Sequence, residues 1–314
     1  MNLVGIELGG TKCICTLGTQ SGEILTSVSL PTGSNADHTL NEIKASLRAL
    51  IAKQAQSSAG FQPAALGIAS FGPLDLNPAS PNYGSITATP KPGWSQTPIL
   101  RPLGAELNVP TLITTDVNGA ALAEGQWGAA QGLSNFIYVT IGTGIGAGIV
   151  SNGHLLQGLT HPEIGHMRIP VARTADEQAS VWAGSCSFHG DCLEGLASGT
   201  AIEARTGQSA RTLPQDHPIW EVVAKALAHM CHNLTLTLAP QRILLGGGIM
   251  MGHAHVVERI RREFLLSLND YANLTQLIGD EAQFIQLAGL GDRAGPLGSL
   301  ALAKAALQGS NPAS

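Results

Sequence analysis

Charge is scarce in this chain. Only 12% of its 314 residues are Asp, Glu, Lys or Arg, against 44% that are hydrophobic. That balance excludes a self-repelling disordered chain and supplies apolar residues for a large core. The 17 basic and 22 acidic residues give a formal net charge of −5. This excludes the positive footprint that a nucleic acid or an anionic membrane surface needs, so neither is an expected partner. No run of about 18 apolar residues occurs, which excludes a spanning helix. The chain opens directly on a strand-like run, MNLVGIEL, without a basic segment and cleavage site, and no signal peptide is expected. Cysteine is sparse and odd in number, at five. A disulfide framework is therefore not expected, and a reducing cytoplasm is the expected compartment. Cys13 and Cys15 alternate on an expected strand and Cys231 lies on an expected helix, where a free cysteine is a small apolar side chain. The length is large for one domain and comfortable for two lobes. No low-complexity linker separates them, so the lobes are expected to share an interface and a cleft.

What is present is concentrated in one segment. His166, Cys186, His189 and Cys192 lie close together, the last three at every third position, as a tight loop around one ion requires. Two thiols and two imidazoles form the donor set of a closed tetrahedral zinc site. The alternative is a chance grouping in a Gly-rich loop. Glu163 and Glu194 flank these residues, either as carboxylates for a polar ligand or as solvated loop charges. His161 precedes them, but a proline follows it and the four-ligand set is complete. His229, His232, His253 and His255 are expected to be ordinary surface or cap residues.

Periodicity gives an α/β chain. Residues 3–8, 13–18 and 23–30 read as strands, and 41–56 as an amphipathic helix carrying Ile43, Leu47, Leu50 and Ile51. A buried strand is expected at 65–69. A long Pro- and Gly-rich loop follows at 71–98, a form common in binding segments. A short strand at 112–115 ends beside Asp116 and leads into a helix at 117–127. Residues 136–141 and 146–150 repeat the strand–Gly turn–strand unit of the N-terminus. A helix at 219–238, a strand in ILLGGG, and helices near 255–267 and 296–307 complete the pattern. The sum is two similar lobes, each opening with a β-hairpin.

Three Gly-rich turns follow strands: Gly9-Gly10-Thr11-Lys12, Gly142-Thr143-Gly144-Ile145-Gly146, and Gly246-Gly247-Gly248. Turns of this kind present backbone N–H groups to anions. Any one of them can be a mere hairpin. Three in a chain with repeated hairpins point to a nucleotide phosphate clamp, although none has the P-loop or dinucleotide spacing.

ELGGTK, TIGTGIGAG, EIGH, the Cys/His cluster followed by LEGLASG, and LLGGGI together resemble the ROK family of sugar kinases. SFGPLDL, TPKPGW, TTDVN and the Cys-x-x-His-x-x-Cys form of the metal loop resemble its bacterial zinc-containing fructokinases. Glucokinase-type members usually carry three cysteines in that loop. The resemblance implies two ribonuclease-H-like lobes of the actin-like ATPase superfamily with a cleft between them. It divides the chain into 1–116, with the C-terminal helix of about 296–314, and 117–295, which holds the zinc-binding loop. It implies an ATP-dependent fructokinase, with ATP as co-substrate, Mg²⁺, structural Zn²⁺ and a homodimer. Another hexose, such as mannose, glucose, allose or an N-acetylated amino sugar, is the alternative substrate, and a non-catalytic sugar sensor is the alternative class. A sugar-responsive repressor is disfavoured, since strand one begins at Leu3.

By resemblance, Asp116 is the catalytic base; from the residues alone it could equally cap the helix that follows. Gly9, Gly10, Thr11 and Lys12 match the first phosphate motif, Thr143 and Gly144 the second, and Gly246, Gly247 and Gly248 the adenosine side. Lys12 either reaches a phosphate or faces solvent. Thr200 stands in the nucleotide region where proline is common. Gly72, Thr115, Glu163, His166 and Glu194 match the sugar side, with His166 shared between sugar and zinc. Glu7 replaces an Asp of the first phosphate motif, which changes its reach to Mg²⁺. Thr115 replaces the Asn of glucose-specific members, which weighs against glucose.

Overall fold

The computed structural model describes residues 1–57, 60–170 and 182–313. These fall into two compact units: Met1–Gln131 with His154–Pro162 and Asp292–Ser314, and Gly132–Gly153 with Glu163–Gly291.

In the first unit, β1 (Asn2–Leu8), β2 (Lys12–Thr19) and β3 (Ile24–Pro31) form an antiparallel meander. β1 is buried along nearly its whole length, as a central strand covered on both faces must be. Edge strand β3 alternates between half-buried and exposed positions. α1 (Ala36–Ser57) follows, then β4 (Pro63–Ser70), α2 (Leu100–Leu107), β5 (Thr111–Thr115) and α3 (Asp116–Trp127). β4 pairs parallel to β1 and β5 parallel to β4, giving the order β3-β2-β1-β4-β5.

α1 starts five residues before the expected helix because Asn35 precedes it. The Asn35 carboxamide oxygen accepts from the His38 N–H at 3.0 Å, satisfying a helix-start donor. α2 was not legible in the sequence: its eight residues include Pro102 and Gly104. Pro102 lies in the first turn, where the missing N–H costs nothing. The 71–98 segment is irregular, as expected, yet Ile86 and Trp94 within it are fully buried.

In the second unit, β6 (Phe136–Ile141) and β7 (Ile145–Ser151) form the second hairpin; the two-residue β8 (His154–Leu155), which is hydrogen-bonded at the edge of this sheet, falls in the His154–Pro162 stretch grouped with the first unit. Helices α4 (Leu193–Ala197), α5 (Gly199–Thr206) and α6 (Ile219–Leu238) follow, then β9 (Arg242–Gly246), α7 (Gly247–Gly252) and α8 (His255–Leu268). Two short helices, α9 (Leu274–Ile278) and α10 (Glu281–Phe284), lead to β10 (Ile285–Leu287). The sheet order is β10-β9-β6-β7-β8, with β9 parallel to both β6 and β10. Reversed, this is the order of the first sheet, so both units have the ribonuclease-H-like arrangement. His253 is the C-cap residue of α7, one of the two roles expected for it, and it is buried rather than on the surface, its ring 4.2 Å from that of Trp220.

The last helix, α11 (Ala294–Leu307), returns to the first unit and packs on β1, β4 and α3. Three glycines make that approach close. A Cβ at Gly5 would overlap the Ser299 side chain, and one at Gly67 would overlap the α11 backbone at Ser299 and Ala303. A Cβ at Gly298 of α11 would overlap the α3 backbone, 2.4 Å from the Gly119 carbonyl carbon and 2.8 Å from the Ala120 nitrogen. The α3–α11 packing explains why the compact units divide after Gln131, whereas the sequence division fell after Asp116. Gly67→Val is expected to lower unfolding free energy by about 2–3 kcal/mol through overpacking, measured by urea denaturation.

Candidate active site

The two hairpins and the parallel strands converge on the C-terminal strand edge of each sheet, where ligands bind in open α/β folds. In the first unit, Leu8, Ser70 and Thr115 stand in register across β1, β4 and β5. Glu7, Gly72 and Asp116 therefore gather at one edge of that sheet, together with the Gly9–Lys12 turn.

Asp116 opens α3 but does not cap it. Thr115 is the cap: its hydroxyl accepts from the Asn118 N–H at 3.2 Å. The cap-only reading of Asp116 is thus corrected, although its carboxylate accepts locally from the Val117 N–H at 2.9 Å. Thr115 itself is buried. Desolvation pushes the Asp116 carboxyl up to about 6, against the pull of backbone hydrogen bonds. Glu7 is pushed up to about 7, first by burial and then by the Asp116 charge, while Lys12 pulls it down. Lys12 thus lies exposed yet within electrostatic reach of Glu7. The Glu7 Oε2 atom is buried without a hydrogen-bond partner. Glycine at 295 leaves room for this longer carboxylate, since a Cβ there would overlap it.

The turn Gly9–Lys12 is closed by a Gly9 N–H to Lys12 carbonyl bond of 3.0 Å. Lys91, which sequence reasoning quoted within TPKPGW but gave no role, donates from Nζ to the Gly10 carbonyl at 2.6 Å. Gly72 follows β4, and a Cβ on it would lie 3.3 Å from the His161 ring. His161 is buried and accepts at Nε2 from the Leu74 N–H at 3.1 Å, so it is engaged in packing the 71–98 segment.

In the second unit, the Gly142–Gly144 turn is held from two sides. The Gly199 N–H donates to the Gly142 carbonyl at 2.8 Å, and the Thr200 hydroxyl donates to the Thr143 carbonyl at 2.9 Å. On the other side, the Glu194 carboxylate accepts from the Ile145 N–H at 2.9 Å and lies against Gly144. Glu194 is therefore built into the Gly142–Gly144 turn, a contact its sequence position did not reveal. A cavity of about 270 Å³ is lined by Gly142, Thr143, Thr200 and Gly248, together with Glu203 and Arg211, which sequence reasoning missed. Gly246 and Gly247 do not line it: Gly246 abuts the Tyr138 ring, and Gly247 (φ +83°) abuts the end of β6. This third turn passes from strand into helix rather than between the strands of a hairpin.

His166, Cys186, His189 and Cys192 come together with all four donor atoms within 4.8 Å of one another. The two Nδ1 atoms are 3.3 Å apart, and His166 Nδ1 lies 3.7 Å from each Sγ. His189 Nδ1 lies 3.8 Å from Cys186 Sγ. A tetrahedral zinc ion, with bonds of about 2.3 Å to sulfur and about 2.0 Å to nitrogen, has N···N edges of about 3.3 Å and N···S edges of about 3.6 Å. Reciprocal bonds between the Cys186 and Gly190 backbones, at 3.2 and 2.9 Å, form the knuckle, and Arg168 pairs with Asp191 beside it. Glu163 is exposed, and its carbonyl accepts from the His166 N–H at 3.0 Å.

The ROK family model matches residues 3–306. A fructokinase of Pediococcus pentosaceus is 39% identical, over 98% of this chain and 99% of that protein. A fructokinase of Zymomonas mobilis is 40% identical, over 96% of both. The crystal structure of a ROK hexokinase from Thermus thermophilus superposes with a TM-score of 0.76 at 27% identity, covering 99% of this chain and 100% of that one. The chain belongs to the ROK family, and its fold is that of the actin-like ATPases.

Proposed function

We propose that this chain is an ATP-dependent fructokinase that transfers the γ-phosphoryl group of ATP to the 6-hydroxyl of D-fructose, giving fructose 6-phosphate and ADP. The observation that carries this reading is the 39–40% identity, along nearly the whole chain, to proteins named fructokinases. The arrangement of ionisable groups supports the chemistry. Phosphoryl transfer asks for positioning, a proton acceptor and charge neutralisation. Asp116 takes the proton of the attacking hydroxyl, and a carboxyl raised to about 6 is a better-matched base near neutral pH than an ordinary aspartate.

Glu7 fits a divalent cation, because its Oε2 is a buried acceptor with no protein donor. Glu7 would hold Mg²⁺, which when bound neutralises charge on the nucleotide phosphates. The Gly9–Lys12 turn and the cavity beside Thr143, Thr200 and Gly248 take the nucleotide, with Gly246 and Gly247 shaping the third turn behind it. In the second unit, Glu163, His166 and Glu194 serve the sugar, as Gly72 and Thr115 do in the first. His166 directs Nδ1 into the Cys/His cluster, which leaves Nε2–H as the donor for a sugar hydroxyl. The His166, Cys186, His189 and Cys192 set fits zinc by donor type and by spacing, and four protein donors leave no open position for catalysis. Its role is structural: it fixes the loop that carries His166 and Glu194.

Coupled ADP release with Mg-ATP over a hexose panel tests the substrate. Fast turnover on fructose with little on glucose is expected; preference for another hexose overturns the fructose assignment and leaves the base in place. Asp116→Asn is expected to lose 10²–10⁴-fold in kcat, as removal of a general base does, with MgADP affinity kept within about threefold. In the wild type, kcat/KM for the sugar is expected to fall tenfold per pH unit below about 6, where Asp116 becomes protonated, and not near the ordinary aspartate value. Cys192→Ser is expected to abolish stoichiometric zinc by elemental analysis and to raise the sugar KM. Unchanged sugar kinetics in a zinc-free variant would refute the supporting role.

A further inference from the structure

The segment 87–97 is a strap over the first phosphate turn. It closes on itself through the Gln96 N–H to Thr87 carbonyl bond of 3.0 Å and mutual bonds between Thr89 and Ser95. Two side chains dock it. Trp94 is fully buried, edge-on to Phe71 at 5.2 Å, and its indole N–H donates to the Gly33 carbonyl at 2.8 Å. Lys91 reaches past β3 and donates to the Gly10 carbonyl at 2.6 Å and to the Thr32 carbonyl at 3.3 Å.

The Gly10 bond bears on how the turn meets an anion. All three carbonyls of Gly10-Thr11-Lys12 have protein donors: Lys91 Nζ for Gly10, the Thr32 N–H for Thr11 at 2.9 Å, and the Gly9 N–H for Lys12 at 3.0 Å. Among the described residues, no acceptor is found for the N–H groups of Gly10 and Thr11. In a trans peptide unit the C=O and the N–H point in opposite directions. Holding the Gly10 carbonyl against the Lys91 ammonium therefore turns the Thr11 N–H away from it, outward from the turn. Gly10 has no side chain to bias this peptide, and a Cβ there would meet nothing within 4 Å, so side-chain packing at Gly10 does not set that plane.

We propose that Lys91 is a positioning residue for the nucleotide: its ammonium locks the Gly10–Thr11 peptide so that the Thr11 N–H faces the phosphates. It acts through the peptide and does not touch the reacting atoms. The bond is charge-assisted and comparatively strong, so losing it releases both the peptide plane and a positive charge beside the turn. The inference rests on the reading of Gly9–Lys12 as a phosphate turn.

The test is MgADP binding by calorimetry, which needs no sugar turnover, on wild type, Lys91→Met and Lys91→Arg, with Lys91→Gln as a second charge-free variant. Thermal unfolding checks that each variant is folded. The charge-free variants are expected to bind MgADP about tenfold more weakly, with the sugar KM within twofold of wild type, and Lys91→Arg to recover most of the affinity. Equal MgADP affinity in wild type and the charge-free variants would overturn the proposal. A parallel rise in sugar KM would also overturn it, since Lys91 would then merely hold the strap. No MgADP binding by the wild type would instead refute the phosphate-turn reading on which it rests.

Discussion

α11 lies against the middle of the first sheet at a distance that only glycine permits. Gly5 in β1 and Gly67 in β4 bring two central strands almost to backbone contact with it, and Gly298 of α11 itself lets α3 close on the same helix. Much of the first unit's chemistry depends on this contact. β1 delivers Glu7, and β5 with α3 delivers Asp116, so both carboxylates sit on elements that α11 clamps. The start of α11 also lies under Glu7, where Gly295 leaves space for its longer side chain. Backbone packed on backbone leaves little slack, because interiors at crystal-like density do not deform continuously.

The same topology in both sheets places both Gly-rich hairpin turns at the strand edge where parallel strands end. The turns are then stiffened by different means. The first has its carbonyls pinned by Lys91, Thr32 and Gly9. The second is gripped by Gly199 and Thr200 on one side and Glu194 on the other. In each case backbone acceptors are occupied from the protein side; in the second turn the Gly142 and Ile145 N–H groups are engaged as well, by the Gly144 carbonyl and Glu194. The Cys/His knuckle contributes to the second turn as well, since Cys192 directly precedes α4 and so fixes where Glu194 stands.

Legibility in the sequence followed the range of the interaction. The α6 helix was readable to the residue, 219–238, because its apolar positions repeat with the helical period and no break interrupts them. The hairpin β6–β7 and the grouping of His166, Cys186, His189 and Cys192 were readable because the signal lies within one short stretch of chain. α2 was hidden by Pro102 and Gly104, which read as loop but sit where a short helix tolerates them. Thr115 rather than Asp116 caps α3, a choice decided by which side chain faces the Asn118 N–H. Lys91 was visible only as part of a motif, since its partner at Gly10 is 81 residues away.

Sequence alone determined the α/β class, the duplicated hairpins, the Cys/His cluster and the identity of the principal ionisable residues, because residue type and local period specify those. Tertiary structure decided what each of them does. Burial and the neighbouring Asp116 raise Glu7, a Gly-to-backbone contact sets the seat of α11, and the peptide beneath Lys91 is oriented by a bond across the fold. Desolvation, proximity of charge and the direction of a hydrogen bond are properties of three-dimensional neighbours, and a linear chain does not name its neighbours.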